Sequence, residues 1–478
     1  MTVDYPQISM YIDGTWCSSS GPRREPIINP ATEETLGEVP LAERADLDRA
    51  LAAAARGFAV WRDNSIEARS RILTDAARLV RERAGRIGEI MTLEQGKPLA
   101  EARGEVGRAA GILQWDLEEA RRTYGRVIAV DPNAHILVLR EPVGPVAAFT
   151  PWNFPAGSPM RKLAAALASG CSIVIKASEE VPGTACELVR CFADAGIPPG
   201  VVNLVFGVPN EVSSHLIASP VIRFIAFTGS IPVGKQLAGL AAAAMKPNIM
   251  ELGGHAPVII CDDADPIAAA KSCAAAKFVN AGQVCTSPSR FLVHASICAR
   301  FTDAFVEAAK RIVVGDGLAP ATQMGPLANG RRLQAIQDLV DDAVRHGGRL
   351  LCGGKRHGTR GFFFEPTVLV DVPDEAKLMR MEPFGPIAPI RPFTDLDEAV
   401  RLANSLPYGL AAYAYTNSAA RANALMRRLE AGILSINHCG GSVVEAPSGG
   451  VKESGYGREG GHEGLEGYLI TKRVSHKL

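Results

Sequence analysis

The sequence lacks the segments that direct a protein into or across a membrane. No apolar run reaches about 18 residues, and the N-terminal stretch MTVDYPQISMYIDGTW has no basic region followed by an apolar core. An excess of one charge is also absent, because 51 Lys and Arg balance 51 Asp and Glu. These absences argue against a membrane span, a secretory leader and a nucleic-acid or anionic-membrane partner. We therefore expect a cytoplasmic protein.

The ten cysteines lack the spacings of a metal site or a disulfide framework. No C-x-x-C occurs, and no Cys/His cluster has zinc-finger spacing, so no bound metal is predicted. Disulfides are unfavourable in a reducing compartment. Most of the cysteines lie in apolar or helical contexts and are predicted to be small core residues. Cys285 differs, because KFVNAGQVCTSPSR places it in a polar loop bounded by Gly and Pro.

Complete nucleotide-binding motifs are also missing. No G-x-G-x-x-G occurs, and FTGSIPVGKQ fails as a P-loop because Gln236 stands where Ser or Thr must bind Mg²⁺. This disfavours a P-loop NTPase. The pair Gly229–Ser230 still joins a predicted strand to a helix, whose free N–H groups favour a pyrophosphate, although a plain turn is the alternative. In VIKASEE, Lys176 and Glu179 follow a strand and either bind ribose hydroxyls or form a solvated strand end.

What the sequence does contain is a regular alternation of strands and helices. With 478 residues, 47% of them hydrophobic and 21% charged, it is long enough for two or three globular domains. VGPVAAF, CSIVIKA, GVVNLVFG and VIRFIAFTG read as buried strands between Ala-rich helices, and a second series runs from APVIICDD to ILSIN. The fold class is therefore α/β, with two parallel, doubly wound sheets that meet near residue 252. A helical region over 45–124 precedes them. The composition of SGGVKESGYGREGGHEG near the C-terminus is typical of a flexible segment, but the strand-like YLITKRV that follows it argues against a disordered tail.

Four chemically useful side chains follow predicted strands or helices. TPWNFP carries Asn153, MELGGHAP carries Glu251, EPFGP carries Glu382, and Cys285 follows a helix. In an open parallel sheet, ligands bind beyond the carboxyl ends of the strands. A thiol can attack a carbonyl group, an amide can stabilise the oxyanion, and a carboxylate can move protons and activate water. The set predicts thiol-mediated carbonyl chemistry.

Seven motifs together resemble one enzyme family. TPWNFP, IVIKASEE, FTGS, MELGGHAP, NAGQVC, EPFGP and SGGVKESGYGREG occur in the order seen in the NAD(P)-dependent aldehyde dehydrogenase superfamily, over about residues 8–476. The resemblance implies two doubly wound Rossmann-type domains, a small β oligomerisation arm and a homodimer or homotetramer. The implied divisions are an NAD-binding domain at 1–123 and 141–252, a catalytic domain at 253–447, and the arm at 124–140 and 465–478.

The resemblance also implies a role for each matching residue. Cys285 would attack the aldehyde to form a thiohemiacetal and then a thioester, with the oxyanion held by Asn153 and the Cys285 backbone N–H. Glu251 would activate water for hydrolysis, and Lys162 would support Asn153 and Glu251. We expect NAD to be preferred, because the Glu179 carboxylate would repel the 2′-phosphate of NADP, although the nearby Lys176 would offset part of the repulsion and leaves NADP as the alternative. The residues implied to bind the cofactor are Trp152, Lys176, Glu179, Gly229, Ser230, Glu382 and Phe384.

Within the superfamily, RKLAAALASGC and EAPSGGVKESGYGREGG resemble the succinate-semialdehyde dehydrogenase branch and its 2-oxoglutarate-semialdehyde relatives. The resemblance implies that Arg161 meets the distal carboxylate of the substrate, with Arg290 as a possible assistant. Ser448 replaces the usual Phe of the Gly-Gly motif, and Val443 replaces a carboxylate-binding Ser of some relatives. Ser448 is therefore a candidate substrate residue. Succinate semialdehyde is the first substrate expected, and 2-oxoglutarate semialdehyde or a broader range of aldehydes is the alternative.

Two other classes of protein in this superfamily are alternatives to a hydrolytic dehydrogenase. A CoA-acylating or phosphorylating enzyme would keep the thiol but would not need Glu251 to activate water. A structural, non-enzymatic member would not need Cys285. The presence of both residues therefore favours hydrolysis of a thioester to a free acid.

Overall fold

The N-terminal part of the chain is mainly helical. The structure, a computed structural model, describes residues 4–131, 133–440 and 443–477. Its first elements are β1 Met10–Ile12, β2 Thr15–Cys17, β3 Arg24–Ile28, β4 Thr35–Pro40, α1 Arg44–Arg62, α2 Ile66–Glu82, α3 Ala84–Gln95 and α4 Leu99–Ala120. The predicted helical region is thus four helices. Ser65 caps α2 by accepting a hydrogen bond from the Ala68 N–H, and Gly96 ends α3 in the left-handed region with φ 92°.

The alternating part of the chain follows two long strands, an exposed β5 and a half-buried β6. Its elements are β5 Arg126–Asp131, β6 Ala134–Pro142, β7 Val146–Phe149, α5 Gly157–Ser169, β8 Ile173–Lys176, α6 Pro182–Asp194, β9 Val202–Val205, α7 Pro209–Ala218, β10 Phe224–Gly229, α8 Ile231–Ala243 and β11 Asn248–Leu252. Every residue of β7, β8 and β9 is buried, as expected for strands covered by helices on both faces.

The second alternating series extends to the C-terminus. It comprises β12 Ala256–Ile260, α9 Pro266–Lys277, β13 Pro288–His294, α10 Ala295–Lys310, α11 Gly330–Arg345, β14 Arg349–Cys352, β15 Thr367–Val370, α12 Lys377–Arg380, β16 Ile387–Phe393, α13 Leu396–Asn404, β17 Ala411–Tyr415, α14 Ala419–Arg428, β18 Ile433–Ile436, β19 Gly455–Tyr456 and β20 Leu469–Lys477. No helix among the described residues is long and apolar enough to cross a membrane.

Two large sheets, each with its own apolar core, confirm the predicted α/β class. The first has the strand order β19-β11-β10-β7-β8-β9-β1-β2, and the second has the order β14-β15-β16-β13-β12-β17-β18. The strands from β11 to β9 are parallel, and the antiparallel strands lie at the edges. The chain leaves the first sheet at Leu252 and enters the second at Ala256, near the predicted position 252. The domain limits themselves stay a prediction.

The glycine-rich segment near the C-terminus is part of the first sheet, in agreement with the argument against a disordered tail. Instead of a flexible tail, it returns to the first sheet as β19, whose Gly455 pairs with Glu251 of β11. Gly455 has a φ of 109°, and a Cβ there would lie 1.8 Å from the Met250 carbonyl oxygen. The glycines are therefore required for close backbone packing beside Glu251, and their number does not indicate mobility.

A third sheet stands apart from the two large ones. It has the order β20-β6-β5, and β20 pairs with β6 from Leu469↔Pro142 to Lys477↔Ala134. Exposed apolar side chains lie on β5 and just before it: Tyr124 is 77% exposed, Val127 63% and Val130 66%. This sheet therefore presents an uncovered apolar surface.

Candidate active site

The candidate residues of the first sheet lie at the edge formed by the carboxyl ends of its parallel strands. Asn153 follows β7, Lys176 ends β8, Ser230 follows β10, and Glu251 lies in β11. Because β7, β8, β10 and β11 are parallel members of one sheet, their carboxyl ends share that edge. The loop with Cys285, between α9 and β13 of the second sheet, meets the same edge.

The backbone before Cys285 is held in an uncommon conformation. Asn280 and Ala281 have φ values of 50° and 53°, in the left-handed region that non-glycine residues rarely adopt. The Asn280 side chain accepts from Gln95 Nε2 at 2.9 Å and donates to the Asn153 carbonyl oxygen at 2.9 Å. Gln283 Nε2 donates to the Asn280 carbonyl oxygen at 3.0 Å. These buried amides stabilise the strained turn that presents the thiol.

Asn153 points its amide at the loop of the nucleophile. Its Nδ2 donates to the carbonyl oxygen of Gln283, two residues before Cys285, at 3.1 Å. Its own carbonyl oxygen accepts from Lys97 Nζ at 2.8 Å, which fixes the loop. Lys97 is fully buried and forms a 2.5 Å ion pair with Glu105. An amide donor beside the thiol is the group that an oxyanion needs.

Several of these supporting residues were missed by sequence reasoning. Glu105 of α4 accepts from the backbone N–H groups of Ala156 and Gly157 at 2.9 and 3.0 Å, so it fixes the start of α5. Nothing in the local pattern of α4 distinguishes this carboxylate from a surface one. The sequence could have identified Asn280 and Gln283, because they are polar residues inside the NAGQVC motif.

Glu251 is a buried carboxyl group with an altered affinity for protons. Burial and the Glu459 carboxylate together raise its pKa to about 8, although the Lys162 and Arg161 cations oppose the shift. Its Oε1 atom has no hydrogen-bond partner among the described residues. The ammonium group of Lys162, the residue implied to support Asn153 and Glu251, contacts the Thr228 hydroxyl and the Glu459 carboxylate. Lys162 therefore acts on Glu251 through charge.

The surroundings of Cys285 favour its protonated thiol. Burial, with the nearby carboxylates of Glu251 and Glu382, raises its pKa to about 12. The backbone N–H groups of Thr286 and Cys285 oppose the shift. The residue is half-buried rather than closed off. The thiol must therefore lose its proton before or during attack on a carbonyl group.

The residues implied for the nicotinamide end of a cofactor lie together. Glu382 Oε1 accepts from the Gly254 N–H at 3.1 Å, and a Cβ on Gly253 would lie only 2.2 Å from Glu382 Oε2. The rings of Trp152 and Phe384 meet edge to face with centroids 5.6 Å apart. A planar ring and a ribose fit this set, because it offers aromatic faces and a carboxylate acceptor beside the Cys285 loop.

The residues implied for the adenosine and phosphate end lie on neighbouring strands. Lys176 Nζ and Glu179 Oε1 form a 2.5 Å ion pair directly after β8. Ser230 is exposed and precedes α8, and its side chain makes no capping hydrogen bond. The first turn of α8 follows β10, so its N–H groups are free to meet an anion. The donor set therefore fits a dinucleotide that crosses this edge of the sheet.

Arg161 of α5 lies beneath the C-terminal segment and beside a buried carboxyl group. Its Nη1 atom is buried and has no hydrogen-bond partner in the part of the chain that the structure describes. A Cβ on Gly460 would lie 2.1 Å from that atom. Burial raises the pKa of Asp116 to about 7, and the charge of Arg161 opposes this. Ser448 lies above the same region and exchanges two backbone hydrogen bonds with Glu459, at 2.7 and 2.8 Å. Arg161 thus keeps an unused donor.

The structure does not bring the Arg290 guanidinium to Arg161 and Ser448, the other residues predicted to bind the substrate. Its guanidinium donates to the backbone carbonyl oxygens of His255, Leu402 and Ala403 at 2.9 to 3.1 Å. With these contacts it links β13 to the end of α13 and has no free face for a substrate. The prediction that Arg290 assists in substrate binding is wrong for this physical reason. Val443, the other uncertain position, is 56% exposed.

The fold and the site define an oxidoreductase of the thiol-dependent dehydrogenase class, with a cysteine and a carboxylate beside a dinucleotide-type sheet. The chain belongs to the aldehyde dehydrogenase family, which matches residues 16–474. It is therefore an aldehyde dehydrogenase, and enzymes of this family oxidise small aldehydes with NAD or NADP.

Known proteins that resemble the chain carry several substrate names. It is 48% identical to the 4-(hydroxymethyl)benzenesulfonate dehydrogenase of Comamonas testosteroni, over 98% of both chains. It is 40% identical to the succinate semialdehyde dehydrogenase of Acinetobacter baylyi, over 96% of both. The crystal structure of succinate-semialdehyde dehydrogenase from Burkholderia pseudomallei superposes with a TM-score of 0.97 at 39% identity, covering 99% of this chain and 98% of that one. The superfamily predicted from seven motifs is confirmed.

Proposed function

We propose that this aldehyde dehydrogenase uses NAD to oxidise an aldehyde that carries a distal anionic group, with succinate semialdehyde as the first candidate. The observation that carries the proposal is the buried Arg161 Nη1 without a partner. A buried cationic donor with no acceptor is costly, and an anionic substrate would supply the acceptor. The substrate names of the two relatives support this, since each contains a carboxylate or a sulfonate.

The proposed reaction begins at Cys285. Its sulfur bonds to the aldehyde carbon, and the thiol proton leaves either to solvent at this half-buried residue or to the Glu251 carboxylate. The carbonyl oxygen becomes an oxyanion that accepts from Asn153 Nδ2 and the Cys285 N–H, with the amide released from the Gln283 carbonyl. Bound NAD supplies the acceptor for the hydride. Loss of the hydride leaves a thioester, and any proton held by Glu251 passes to solvent. The ionised Glu251 then takes a proton from the water that attacks the thioester; the carbon–sulfur bond breaks, and the acid and the free thiol are released.

A sulfonate-bearing aromatic aldehyde is the second candidate substrate. The observation that favours it is the 48% identity to a benzenesulfonate dehydrogenase, above the 40% identity to a succinate semialdehyde enzyme. Ser448 and the exposed Val443 leave the predicted substrate mouth without a bulky aromatic side chain at those positions. Both candidates, and 2-oxoglutarate semialdehyde, share the same requirement for a cation at the far end of the pocket.

Replacing Arg161 by alanine tests this requirement. We expect kcat/KM for succinate semialdehyde and for 4-formylbenzenesulfonate to fall, with a loss of transition-state stabilisation of about 2–5 kcal/mol. The reason is that the variant leaves the anion buried without a partner. Turnover of butanal, which has no anionic group, should change little. Arg161→Lys keeps the charge but loses the planar pair of donors, so it should recover part of the loss.

Equal losses for the charged and neutral aldehydes would mean that Arg161 is structural. Of the two anionic substrates, the one with the higher kcat/KM in the unaltered enzyme identifies the better candidate.

We predict a preference for NAD over NADP. The Glu179 carboxylate would repel a 2′-phosphate, and Lys176 is already paired with it at 2.5 Å. The ratio of kcat/KM for NAD to that for NADP should be roughly tenfold or more. Glu179→Gln should narrow this ratio, whereas Glu187→Gln on α6 serves as a control that leaves it unchanged. A higher kcat/KM with NADP in the unaltered enzyme would contradict the prediction.

We also propose that the third sheet joins copies of the chain into a homodimer or homotetramer. The support is the uncovered apolar surface around β5, where Val127 and Val130 are 63% and 66% exposed. The double change Val127→Glu and Val130→Glu should shift the mass measured by sedimentation to that of the monomer. Val60→Glu on α1, where Val60 is 53% exposed, is the matched control. A monomeric unaltered protein would contradict the proposal.

The cytoplasmic location stays a prediction.

A further inference from the structure

Two cysteines that the proposed reaction does not use lie in contact with each other. Cys273 is on α9 and Cys439 follows β18, 166 residues away in sequence, yet their sulfur atoms are 3.9 Å apart. Cys273 is fully buried, and Cys439 is half-buried. One thiol is therefore open to a small molecule, while the other lies directly behind it.

The surroundings of Cys439 favour its thiolate. Its pKa is lowered chiefly because the Cys273 thiol donates to it, and the Tyr415 hydroxyl, 3.3 Å away, adds to the effect while burial opposes it. The pKa of Cys285 is raised to about 12 instead. The thiolate is the form of cysteine that reacts with oxidants. The opposite directions of the two pKa shifts therefore favour reaction of an oxidant at Cys439 over reaction at Cys285.

The pair is connected to the catalytic loop by short paths. α9, which carries Cys273, ends at Lys277 and runs directly into the turn that presents Cys285. On the neighbouring strand, the Tyr413 hydroxyl donates to the carbonyl oxygen of Thr286, the residue after Cys285, at 2.6 Å. A change in the packing of α9 would thus reach the nucleophile through the backbone.

We propose that Cys439 and Cys273 form a peroxide-sensitive pair that closes into a reversible disulfide. The Cys439 thiolate attacks hydrogen peroxide and breaks its O–O bond, which gives a sulfenic acid and hydroxide; the hydroxide takes up the proton released when the thiolate formed and leaves as water. The Cys273 sulfur then attacks the Cys439 sulfur, and the sulfenic oxygen departs with the Cys273 proton as a second water. Two thiols are oxidised, one peroxide is reduced, and two waters form.

Closure requires movement beside the active site. The sulfur atoms must approach from 3.9 Å to about 2.05 Å. Asn437 resists movement of the loop, because its side chain exchanges hydrogen bonds with the Thr416 backbone at 2.9 and 3.0 Å. Part of the shift must therefore fall on α9. We infer that the disulfide displaces the start of the catalytic turn and lowers turnover.

Peptide mapping of the full-length protein tests the pair. After mild treatment with hydrogen peroxide and blocking of the remaining thiols, a cross-linked peptide should contain Cys273 and Cys439, and dithiothreitol should release it. The same cross-link should form in Cys285→Ala, which removes competition from that thiol. It should disappear in Cys439→Ser and persist in Cys298→Ser, a control at another half-buried cysteine. Separate sulfinic or sulfonic products at Cys439 without the cross-link would overturn the proposal.

Turnover provides the second measurement. Peroxide should cause a loss of kcat of which dithiothreitol restores a part, and that recoverable part should be absent in Cys439→Ser and present in Cys298→Ser. The part that is not restored reports damage to Cys285 itself. A cross-link that forms fully without a recoverable loss would overturn the proposed connection to the catalytic turn. The peptide mapping needs no turnover, and the kinetic measurement needs only an aldehyde that the enzyme oxidises, so both remain informative if the anionic substrate class is wrong.

Discussion

Replacing Cys285 by alanine is expected to lower aldehyde oxidation by on the order of 10⁴- to 10⁶-fold, the scale of losing a catalytic nucleophile. In the proposed reaction the Cys285 sulfur bonds to the substrate, and formation of the thioester requires this sulfur. NAD binding should persist, because the residues assigned to the dinucleotide lie on β8, β10 and the segment around Glu382.

The experiment compares NADH production with NAD affinity measured by calorimetry. Cys298→Ala is the matched control, since Cys298 is also half-buried but its nearest polar contact is the Thr302 hydroxyl, 3.9 Å away on the same helix. The control should retain full turnover. Substantial turnover by Cys285→Ala would sink the assignment of the nucleophile, and loss of NAD binding would show that the change disturbs the fold.

Replacing Glu251 by glutamine is expected to slow hydrolysis of the thioester more than its formation. The thiol proton has two possible acceptors, solvent and Glu251, whereas activation of the attacking water depends on Glu251. The burst of NADH from the first turnover should therefore remain visible, while the steady-state rate falls by about 10²- to 10⁴-fold, the usual contribution of a general base.

The pH dependence of the deacylation rate tests the same role of Glu251. Burial and Glu459 raise the pKa of Glu251 to about 8, and only the ionised carboxylate can accept a proton. The deacylation rate of the unaltered enzyme should rise as the pH rises through about 8 and level off above it. Glu251→Gln should lack this rise. Wild-type deacylation rates in the variant, or a profile that keeps its rise, would contradict the role of Glu251 as the base.

The main features of the site were predictable because they are local in sequence. Asn153 and Glu382 each occur within a short motif, and the alternation of strands and helices predicts that the ends of parallel strands meet. The position of Cys285 could be read in the same way from its polar loop.

The features that could not be predicted depend on contacts between distant segments. Lys162 meets Glu459 across 297 residues, and β19 pairs with β11 beside Glu251. The glycine-rich segment, whose composition alone is typical of a flexible chain, is needed there for close backbone approach. Arg290 looked suitable for a substrate because it lies five residues after Cys285, but burial commits its guanidinium to backbone carbonyls. Sequence spacing alone does not distinguish a free donor from an occupied one.

The most direct test of the account is to locate the acyl group on the enzyme. Glu251→Gln is mixed with NAD and succinate semialdehyde, quenched in acid during the first turnovers, and digested for mass spectrometry. We predict that the peptide containing Cys285 carries the mass of the acyl group, that the mass disappears on treatment with hydroxylamine, and that no adduct forms in Cys285→Ala with the same aldehyde. An acyl group on another residue, or NADH production without any adduct, would contradict the central claim that oxidation proceeds through a thioester at Cys285.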